Sequence, residues 1–384
     1  MDNGNLDGRT RPWPDRSTER PLISPSIRAA RYLRRWARPL PGVPDEIDLG
    51  QGQTADAYGD WSRRRAPAWI VLHGVTVAGG AHPSLVRFAG ALADTGATVL
   101  VPQVDSWRAL DLDPSPGHRA ISAAVDYIRT IRPDARCGLV GFSFGCQPAI
   151  MAASAPANRE TVAGVVGFGG YGDLESTILF GLTGEYEYGG TVGRIRPDPY
   201  GRWIVAANYL ARIPGLEDAE DVCDALRSLA TLAGQRRIMS WDPAHDPVKD
   251  ELEERIHRDR RGLFRLFAPP ADQEPDQSEA RVIAPKLAEA ARRTHPLLEG
   301  LDTDGLSLPP VHLFHGRHDQ LIPWVETLRL AEGLEGRCTV RKTVTGLFAH
   351  SQEERSGLPN LPEFLRFYLE LRRVLAIPHP GRMS

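Results

Sequence analysis

The chain has 384 residues, of which 41% are hydrophobic and 25% are charged, a composition typical of globular proteins. Its net charge of −3 is too small to indicate binding to nucleic acid or to a membrane surface. No run of about 18 apolar residues is present, so we expect no stable insertion into a membrane. The length allows one large α/β domain with an insertion, or two domains.

Residues 1–45 are expected to form an arm followed by a basic amphipathic helix. The first 25 residues lack hydrophobic periodicity, and residues 1–20 contain no apolar run of the secretory type. The four cysteines show no metal spacing and are expected to be reduced, which favours a cytoplasmic protein. Residues 26–40 carry apolar side chains at helical spacing among five arginines. Such a helix docks on the body of its own protein or lies on an anionic membrane, and its shortness favours docking. The apolar stripe consists of Ile27, Ala30, Leu33, Trp36, Ala37 and Leu40.

Apolar runs alternate with helical segments from residue 69 to residue 168. The runs are apolar throughout, which predicts a parallel sheet covered on both faces by helices. The predicted strands are Trp69–Leu72, Thr98–Val101, Cys137–Val140 and Val162–Phe168. The predicted helices are Pro83–Thr95, Gly117–Ile131 and Gln147–Ser154.

The alternation stops at Gly169 and resumes after Leu308. The intervening 170–308 is too long for a loop and shows helical stretches at 216–233, 247–267 and 277–294, with no second set of strands. We therefore predict a helical cap at 170–308 inserted into a core formed by 46–169 and 309–384. The charged run 249–261 is expected to be a solvated helix face. The second core segment has predicted strands at 311–314 and 338–344 and predicted helices at 324–335 and 362–376.

The pentapeptide Gly141-Phe142-Ser143-Phe144-Gly145 follows a predicted buried strand and precedes a small-residue helix. A sharp strand-to-helix turn of the form G-x-S-x-G holds a serine nucleophile with its Oγ exposed at the end of the strand. The same five letters also arise by chance in a glycine-rich chain. The strand before them and the helix after them favour the nucleophile.

A serine nucleophile needs a base and a carboxylate that orients the base. Asp319 follows the predicted strand 311–314, and His350 follows the predicted strand 338–344. Because parallel strands end at one edge of a sheet, we expect both groups near Ser143. Asp173, which follows the strand 162–168, is the alternative carboxylate, and the sequence context favours Asp319.

These residues resemble the conserved positions of the α/β-hydrolase fold family. The matching features are His73-Gly74 after the third family strand, the pentapeptide at 141–145, HGRHDQLIP at 315–323 and His350 after the last strand. They cover roughly residues 68–170 and 308–375. The resemblance implies an α/β fold: a mostly parallel central sheet with helices on both faces and a mainly helical cap after the sixth family strand. The family includes esterases, lipases, peptidases, thioesterases and acyltransferases.

The resemblance also implies a role for each matching residue. Ser143 would be the nucleophile, His350 the general base and Asp319 the orienting carboxylate. The backbone N–H groups of Phe144 and Val75 would form the oxyanion hole. The loop reads HGVT, in contrast to the HGGG of lipases, so the second donor stays open.

Other candidate residues have less specific signals. His73 is expected to hold the oxyanion loop, while His82, His118, His245, His315 and His318 are expected in loops or at the surface. Cys146 is expected to be buried and unreactive. Candidate substrate-wall residues in the insertion are Tyr186, Tyr188, Trp203 and Tyr209.

No metal or cofactor motif is present: the sequence has no H-E-x-x-H, paired C-x-x-C, P-loop or dinucleotide fingerprint. We therefore predict no cofactor and a small-molecule ester or other acyl substrate. The leading hypothesis is a serine hydrolase of the carboxylesterase type. The alternatives are an acyltransferase or peptidase with the same triad and a non-catalytic binding protein, and the oligomeric state stays open.

Overall fold

A computed structural model describes residues 24–40, 42–236, 238–298, 307–347 and 361–378 of the chain. The strands in these ranges are β1 (Asp45–Gly50), β2 (Gln53–Tyr58), β3 (Ala68–Leu72), β4 (Thr98–Pro102), β5 (Cys137–Phe142), β6 (Val162–Phe168), β7 (Glu185–Tyr188), β8 (Thr191–Arg194), β9 (Val311–Gly316) and β10 (Val340–Thr345). The helices of the first half are α1 (Pro25–Trp36), α2 (Pro83–Asp94), α3 (Asp105–Arg108), α4 (Ser115–Ile131), α5 (Cys146–Ser154) and α6 (Leu174–Thr183). Those of the second half are α7 (Pro199–Tyr209), α8 (Glu220–Arg236), α9 (Asp246–Arg255), α10 (Arg261–Phe267), α11 (Gln277–Thr294), α12 (Val325–Leu334) and α13 (Leu361–Val374).

Eight strands form one sheet in the order β1-β2-β4-β3-β5-β6-β9-β10. The pairs β1–β2 and β2–β4 are antiparallel, and every other neighbouring pair is parallel. In register, Gly141 of β5 lies beside Leu72 of β3 and Gly167 of β6. The carboxyl ends of these strands therefore meet at one edge, which we call the catalytic edge.

Apolar clusters cover both faces of this sheet. One contains side chains of α4, α5 and α12, such as Ile121, Ile150 and Leu330. The other contains side chains of α1, α2 and α13, such as Phe88 and Leu371. A continuously apolar strand is stable only when both of its faces are buried, so the predicted covered, mostly parallel sheet is confirmed.

The segment between β6 and β9 contains α6 to α11, whose apolar side chains form a cluster together with Leu110 and Leu112. It also contains an antiparallel hairpin, β7–β8, so the expectation of no strands here was wrong. The turn between its strands uses Gly189 and Gly190, both with positive φ, a backbone that side chains with a Cβ adopt rarely.

The predicted helix over 247–267 is two helices, α9 and α10, separated near Ile256. The residues after the break contact α8: Arg260 donates to both carboxylate oxygens of Asp221 at 2.8 Å, and Asp221 also accepts the N–H of His257 at 3.0 Å. Lys249 is buried and donates to Asp246 and to the Pro269 carbonyl. The charged run is therefore partly structural and not a uniformly solvated face.

Helix α1 docks on α2 and α13, as expected, but by a different face. Its buried residues are Arg28, Ala29 and Tyr32, and the ring of Tyr32 contacts Phe88 edge-on at 5.9 Å. Ile27 and Trp36, which belong to the predicted stripe, are exposed. None of the helices in the described ranges is long and apolar enough to cross a membrane.

Candidate active site

Ser143 stands directly after β5 in a strained backbone conformation. Its φ is +52°, a region that residues with a Cβ rarely occupy. The turn is tight: a Cβ built on Gly141 would lie 2.3 Å from the carbonyl oxygen of Gly145. Only glycine fits at position 141, so the local sequence permits the strand-to-helix turn that carries Ser143 at the catalytic edge.

The loop after β3 passes close to this serine. A Cβ built on Gly74 would lie 3.2 Å from Ser143 Cβ and 3.7 Å from its Oγ. Val75 is the next residue, and Phe144 lies in the first turn of the helical segment that begins at Ser143. Backbone N–H groups in a first turn have no acceptor within the helix, so that of Phe144 is available to a ligand.

The side chain of His73 fixes this loop through two hydrogen bonds. Its Nε2 accepts the backbone N–H of Val104 at 3.3 Å, so the proton of the neutral ring is on Nδ1, which donates to the Gly74 carbonyl at 2.7 Å. Burial lowers the pKa of His73 to about 4, because the imidazolium would lose its hydration. The expected structural role of His73 agrees with these contacts.

Asp319 lies in the turn after β9 and is 1% exposed. Its Oδ1 accepts the N–H groups of Leu321 and Ile322 at 2.9 and 3.0 Å, and its Oδ2 lies 3.3 Å from His315 Nε2. His315 is fully buried in β9, contrary to the expected loop position. Its Nε2 also contacts the carbonyl of Ile322 at 2.9 Å, so this nitrogen carries the proton and Nδ1 accepts from Thr327 Oγ1.

His350, the predicted base, lies outside the described residues. The competing carboxylate, Asp173, is exposed and serves as the N-cap of α6, where it accepts the N–H of Ser176 at 2.7 Å. The turn that carries it is held by Glu326, which is fully buried and accepts the N–H groups of Gly172 and Asp173. The carboxylate of Asp173 is therefore used to cap the N-terminus of α6.

Two observations decide the fold. The first is the strand order, in which β2 is antiparallel to its neighbours and the six strands β4, β3, β5, β6, β9 and β10 are parallel. The second is a strained serine immediately after β5. The chain has the α/β-hydrolase fold. In this fold the strand that ends at the nucleophile is central, which agrees with the position of β5 between β3 and β6.

Several solved structures with the α/β-hydrolase fold are similar to the chain at low identity. A 2-hydroxy-6-oxo-6-phenylhexa-2,4-dienoate hydrolase from Rhodococcus is 16% identical, with a TM-score of 0.44 over 86% of this chain and 98% of that one. Candida antarctica lipase A is 12% identical, with a TM-score of 0.45 over 88% and 77%. Est1E from Butyrivibrio proteoclasticus, with bound ferulic acid, is 12% identical, with a TM-score of 0.42 over 88% and 100%.

At such identities and scores, these likenesses decide neither substrate nor site residues. No protein-family model matches the chain. The search of curated proteins found no match.

A cavity of about 510 Å³ opens at the catalytic edge of the hydrolase fold, between the sheet and the segment 170–308. Ser143, Phe144 and Val75 line it from the side of the sheet. The opposite wall is mostly carbon and includes one face of α6: Leu174, Thr177, Ile178, Gly181 and Leu182. The three predicted groups Ser143, Phe144 and Val75 are thus brought together on one cavity.

Of the four candidate wall residues, only Tyr209 lines this cavity. Trp203 is fully buried among the helices of the insertion, where its Nε1 donates to the Phe267 carbonyl at 2.9 Å. Tyr186 contacts Trp324 edge-on, and Tyr188 donates to Glu332 on α12. The prediction was wrong for Trp203, Tyr186 and Tyr188. The buried indole N–H of Trp203 needs an acceptor, which it finds inside the insertion. The two tyrosines belong to the hairpin β7–β8, which does not line the cavity.

The wall residues on α6 were missed, although they occur at helical spacing i, i+3, i+4, i+7 and i+8. That periodicity in 174–182 is the signal that could have revealed a helix with one apolar face.

Burial raises the pKa of the Cys146 thiol to about 12, which agrees with its expected inertness. Among the described residues, no three His, Cys, Asp or Glu side chains are grouped so that they could hold a metal ion.

Proposed function

We propose that the protein is a serine hydrolase that cleaves a carboxylic ester through an acyl-enzyme on Ser143. The observation that carries the proposal is the strained Ser143, which faces the cavity directly beside the Gly74–Val75 loop. Strain of this kind is retained where the surrounding structure enforces it, and it is common at catalytic residues.

In the proposed mechanism, Ser143 Oγ attacks the ester carbonyl while His350 takes the hydroxyl proton. The backbone N–H groups of Phe144 and Val75 stabilise the tetrahedral oxyanion, an effect worth about 10²–10³ in rate for each donor. His350 then gives the proton to the leaving alcohol as the C–O bond breaks. A water molecule, deprotonated by His350, releases the carboxylic acid and restores the Ser143 hydroxyl.

Asp319 is proposed to orient His350 and to stabilise its protonated form. The carboxylate is buried, and the two N–H groups donated to Oδ1 hold its plane in one orientation. Such rigidity is what an orienting carboxylate needs, because a mobile carboxylate would lose its directional effect on the imidazole. The exposed, helix-capping Asp173 has no comparable support.

The insertion is proposed to act as a cap that selects the substrate. A cavity of about 510 Å³ is within the range of ordinary small-molecule sites, and its wall is mostly apolar. These features support an uncharged ester with a sizeable apolar acyl or alcohol group. An acyltransferase or a peptidase would use the same groups, with a different acceptor or leaving group.

The proposal is tested by labelling with a fluorophosphonate probe and by hydrolysis of p-nitrophenyl esters of several chain lengths. Wild type should label and hydrolyse, and Ser143→Ala should lose labelling and roughly 10³-fold or more of turnover. Ser154→Ala, on the same helix as the elbow but bonded to the Met151 carbonyl, is the matched control and should behave as wild type. Equal labelling of wild type and Ser143→Ala contradicts the proposal. Transfer of the acyl group to an added alcohol or amine faster than hydrolysis favours an acyltransferase.

A further inference from the structure

Large apolar side chains are exposed mainly on two neighbouring helices and do not line the cavity there. Of eleven exposed large hydrophobic residues within the described ranges, six lie in α1, in the turn after it, or on α13. The exposed fractions reach 66% for Leu361 and 50% for Leu365. The six, which we call the α1–α13 face, are Ile27, Trp36, Leu40, Leu361, Leu365 and Leu369.

The two helices are in contact with each other. Near the start of α1, Arg28 donates to the carbonyl of Leu375, just past the end of α13. At the other end of α13, Glu363 accepts the N–H of Gly346, the residue that follows β10. Leu361 is therefore at the catalytic edge of the sheet.

The last turn of α1 points to the same edge. Trp36 stacks on Tyr32, whose ring contacts Phe88. Phe88 in turn contacts Phe142, the last residue of β5 before Ser143, at 5.0 Å. The α1–α13 face thus extends toward the side of the molecule on which the cavity opens.

The charges on these helices have one sign toward solvent. Residues 24–40 contain five arginines and no acidic residue, and Arg34 and Arg38 are exposed. Of the two acidic residues of α13, Glu370 is buried against His312 at 2.6 Å, and the half-buried Glu363 accepts the N–H of Gly346. Arg366 and Arg373, on the same helix, are exposed. Apolar side chains interleaved with cations and no exposed anion match the chemistry of an anionic lipid surface.

We propose that the α1–α13 face binds the surface of a membrane that contains anionic lipids and holds the catalytic edge near that surface. Arginine side chains would contact lipid phosphates while the leucines and Trp36 enter the interfacial layer. This association is peripheral, and it does not rest on the proposed role of Ser143. It would give an enzyme with an apolar cavity direct access to substrates that partition into lipid.

The test is co-sedimentation of the full-length protein with vesicles. Vesicles of mixed phosphatidylglycerol and phosphatidylcholine should bind the protein at low salt and release it at high salt, because ions screen exposed charges. Vesicles of phosphatidylcholine alone should bind at least tenfold less. No binding to the mixed vesicles, or equal binding to both kinds, overturns the proposal.

Two pairs of variants locate the surface. Arg34→Glu with Arg38→Glu should lower the partition coefficient about tenfold or more, whereas Arg255→Glu with Arg258→Glu, an identical charge change on exposed residues of the insertion, should have a much smaller effect. Leu361→Ser with Leu365→Ser should also weaken binding, in contrast to Val192→Ser with Val282→Ser at comparably exposed sites. Circular dichroism spectra verify that each variant is folded.

Equal losses in the variants and their controls would show attraction to net charge alone and would contradict the proposal. Light scattering tests whether the α1–α13 face instead binds a second copy of the chain, because it measures the molar mass in solution. A dimer that Leu361→Ser with Leu365→Ser separates into monomers would make the α1–α13 face a contact between copies, and the lipid proposal would then be wrong.

Discussion

Asp319 and Asp173 both follow strands that end at the catalytic edge, and their surroundings differ. Asp319 is buried and its orientation is held by two backbone N–H groups, whereas Asp173 is exposed and caps α6. An asparagine at 319 would keep an oxygen acceptor for Leu321 and Ile322 and would lose the negative charge.

We expect Asp319→Asn to lower kcat for ester hydrolysis by roughly 10⁴-fold with little change in melting temperature, because a neutral amide cannot stabilise a protonated histidine. Asp173→Asn should keep kcat within a small factor, since asparagine is also a good N-cap. Steady-state kinetics and thermal melts of both variants provide the measurement. The assignment fails if Asp173→Asn is the more damaged enzyme.

The buried His73 makes the stability of the protein depend on pH. Burial lowers its folded-state pKa to about 4 from an ordinary 6.5, so between these values the unfolded chain takes up a proton that the native protein excludes. The free energy of unfolding is then highest above pH 6.5 and falls as pH decreases through this window. His73 contributes about 3 kcal/mol to the free energy of unfolding above pH 6.5, because each unit of pKa shift corresponds to about 1.36 kcal/mol.

His118 and His245, whose pKa values burial also lowers, add to the same trend, so a variant is needed to isolate His73. We expect His73→Gln, which keeps an amide donor and acceptor, to reduce the pH slope of the unfolding free energy by about one proton. Urea unfolding at several pH values measures the slope. An unchanged slope would show that His73 is already protonated in the native state.

At the scale of elements, α6 shows how helical periodicity forms a binding wall. Its residues at i, i+3, i+4, i+7 and i+8 line the cavity, while Phe180 on the opposite side is fully buried in the protein interior. Asp173 and Gly184 define the ends of the helix, the latter in the left-handed conformation typical of a C-terminal glycine.

Ile178→Trp should reduce the space opposite Ser143 and lower kcat/KM for esters with long chains much more than for acetate esters. The physical reason is that the indole occupies cavity volume that only large substrates use. Glu175→Trp, on the exposed side of α6, is the matched control. A uniform loss over all chain lengths would indicate a distorted site and not a narrowed one.

The strands β7 and β8 are short elements that sequence periodicity alone did not reveal. Four residues on either side of Gly189-Gly190 give too few alternations to distinguish a hairpin from a loop. A double-glycine turn between β-favouring residues was the available signal. The same limit applies to β1 and β2, which pair as a second hairpin at the edge of the main sheet.

At the scale of the whole molecule, the apolar interior is divided. The insertion has a cluster around Trp203, Leu226 and Phe264, to which Leu110 and Leu112 of the core also belong, and two further clusters cover the sheet. Contact between the insertion and the core includes the N–H of Asp198, which donates to the Gln320 carbonyl next to Asp319. Because most of this cluster comes from the insertion itself, we expect local loss of structure in the insertion to be separable from unfolding of the core.

Phe264→Ala should destabilise the insertion by about 3–5 kcal/mol, because it leaves a cavity in the cluster. Native-state hydrogen exchange should show faster exchange in α7, α8 and α11 while β3, β5 and β6 stay protected. Ile150→Ala, in the cluster beneath the sheet, is the converse control and should accelerate exchange in the strands. Equal acceleration in both regions by Phe264→Ala would mean that insertion and core unfold as one unit.

The amino-acid sequence was sufficient to predict the six parallel strands of the central sheet, the strand-to-helix turn at Ser143 and the turn at Asp319. These features are local: continuous apolar runs predict buried strands, and Gly141 is required by the turn at Ser143. The position of His350 relative to Ser143 stays a prediction, since it lies outside the described residues. The division of the chain into arm, core and cap is likewise still a proposal.

Which residues face the cavity, and which face of α1 is buried, could be learned only from the three-dimensional structure. Periodicity identifies an apolar stripe, but it cannot tell which neighbouring element will cover it, because that depends on contacts between residues far apart in sequence. Arg28 docks against the end of α13, some 347 positions away, and thereby turns Ile27 and Trp36 outward. For the same reason the wall opposite Ser143 consists of α6 and not of the aromatic residues that the sequence made conspicuous.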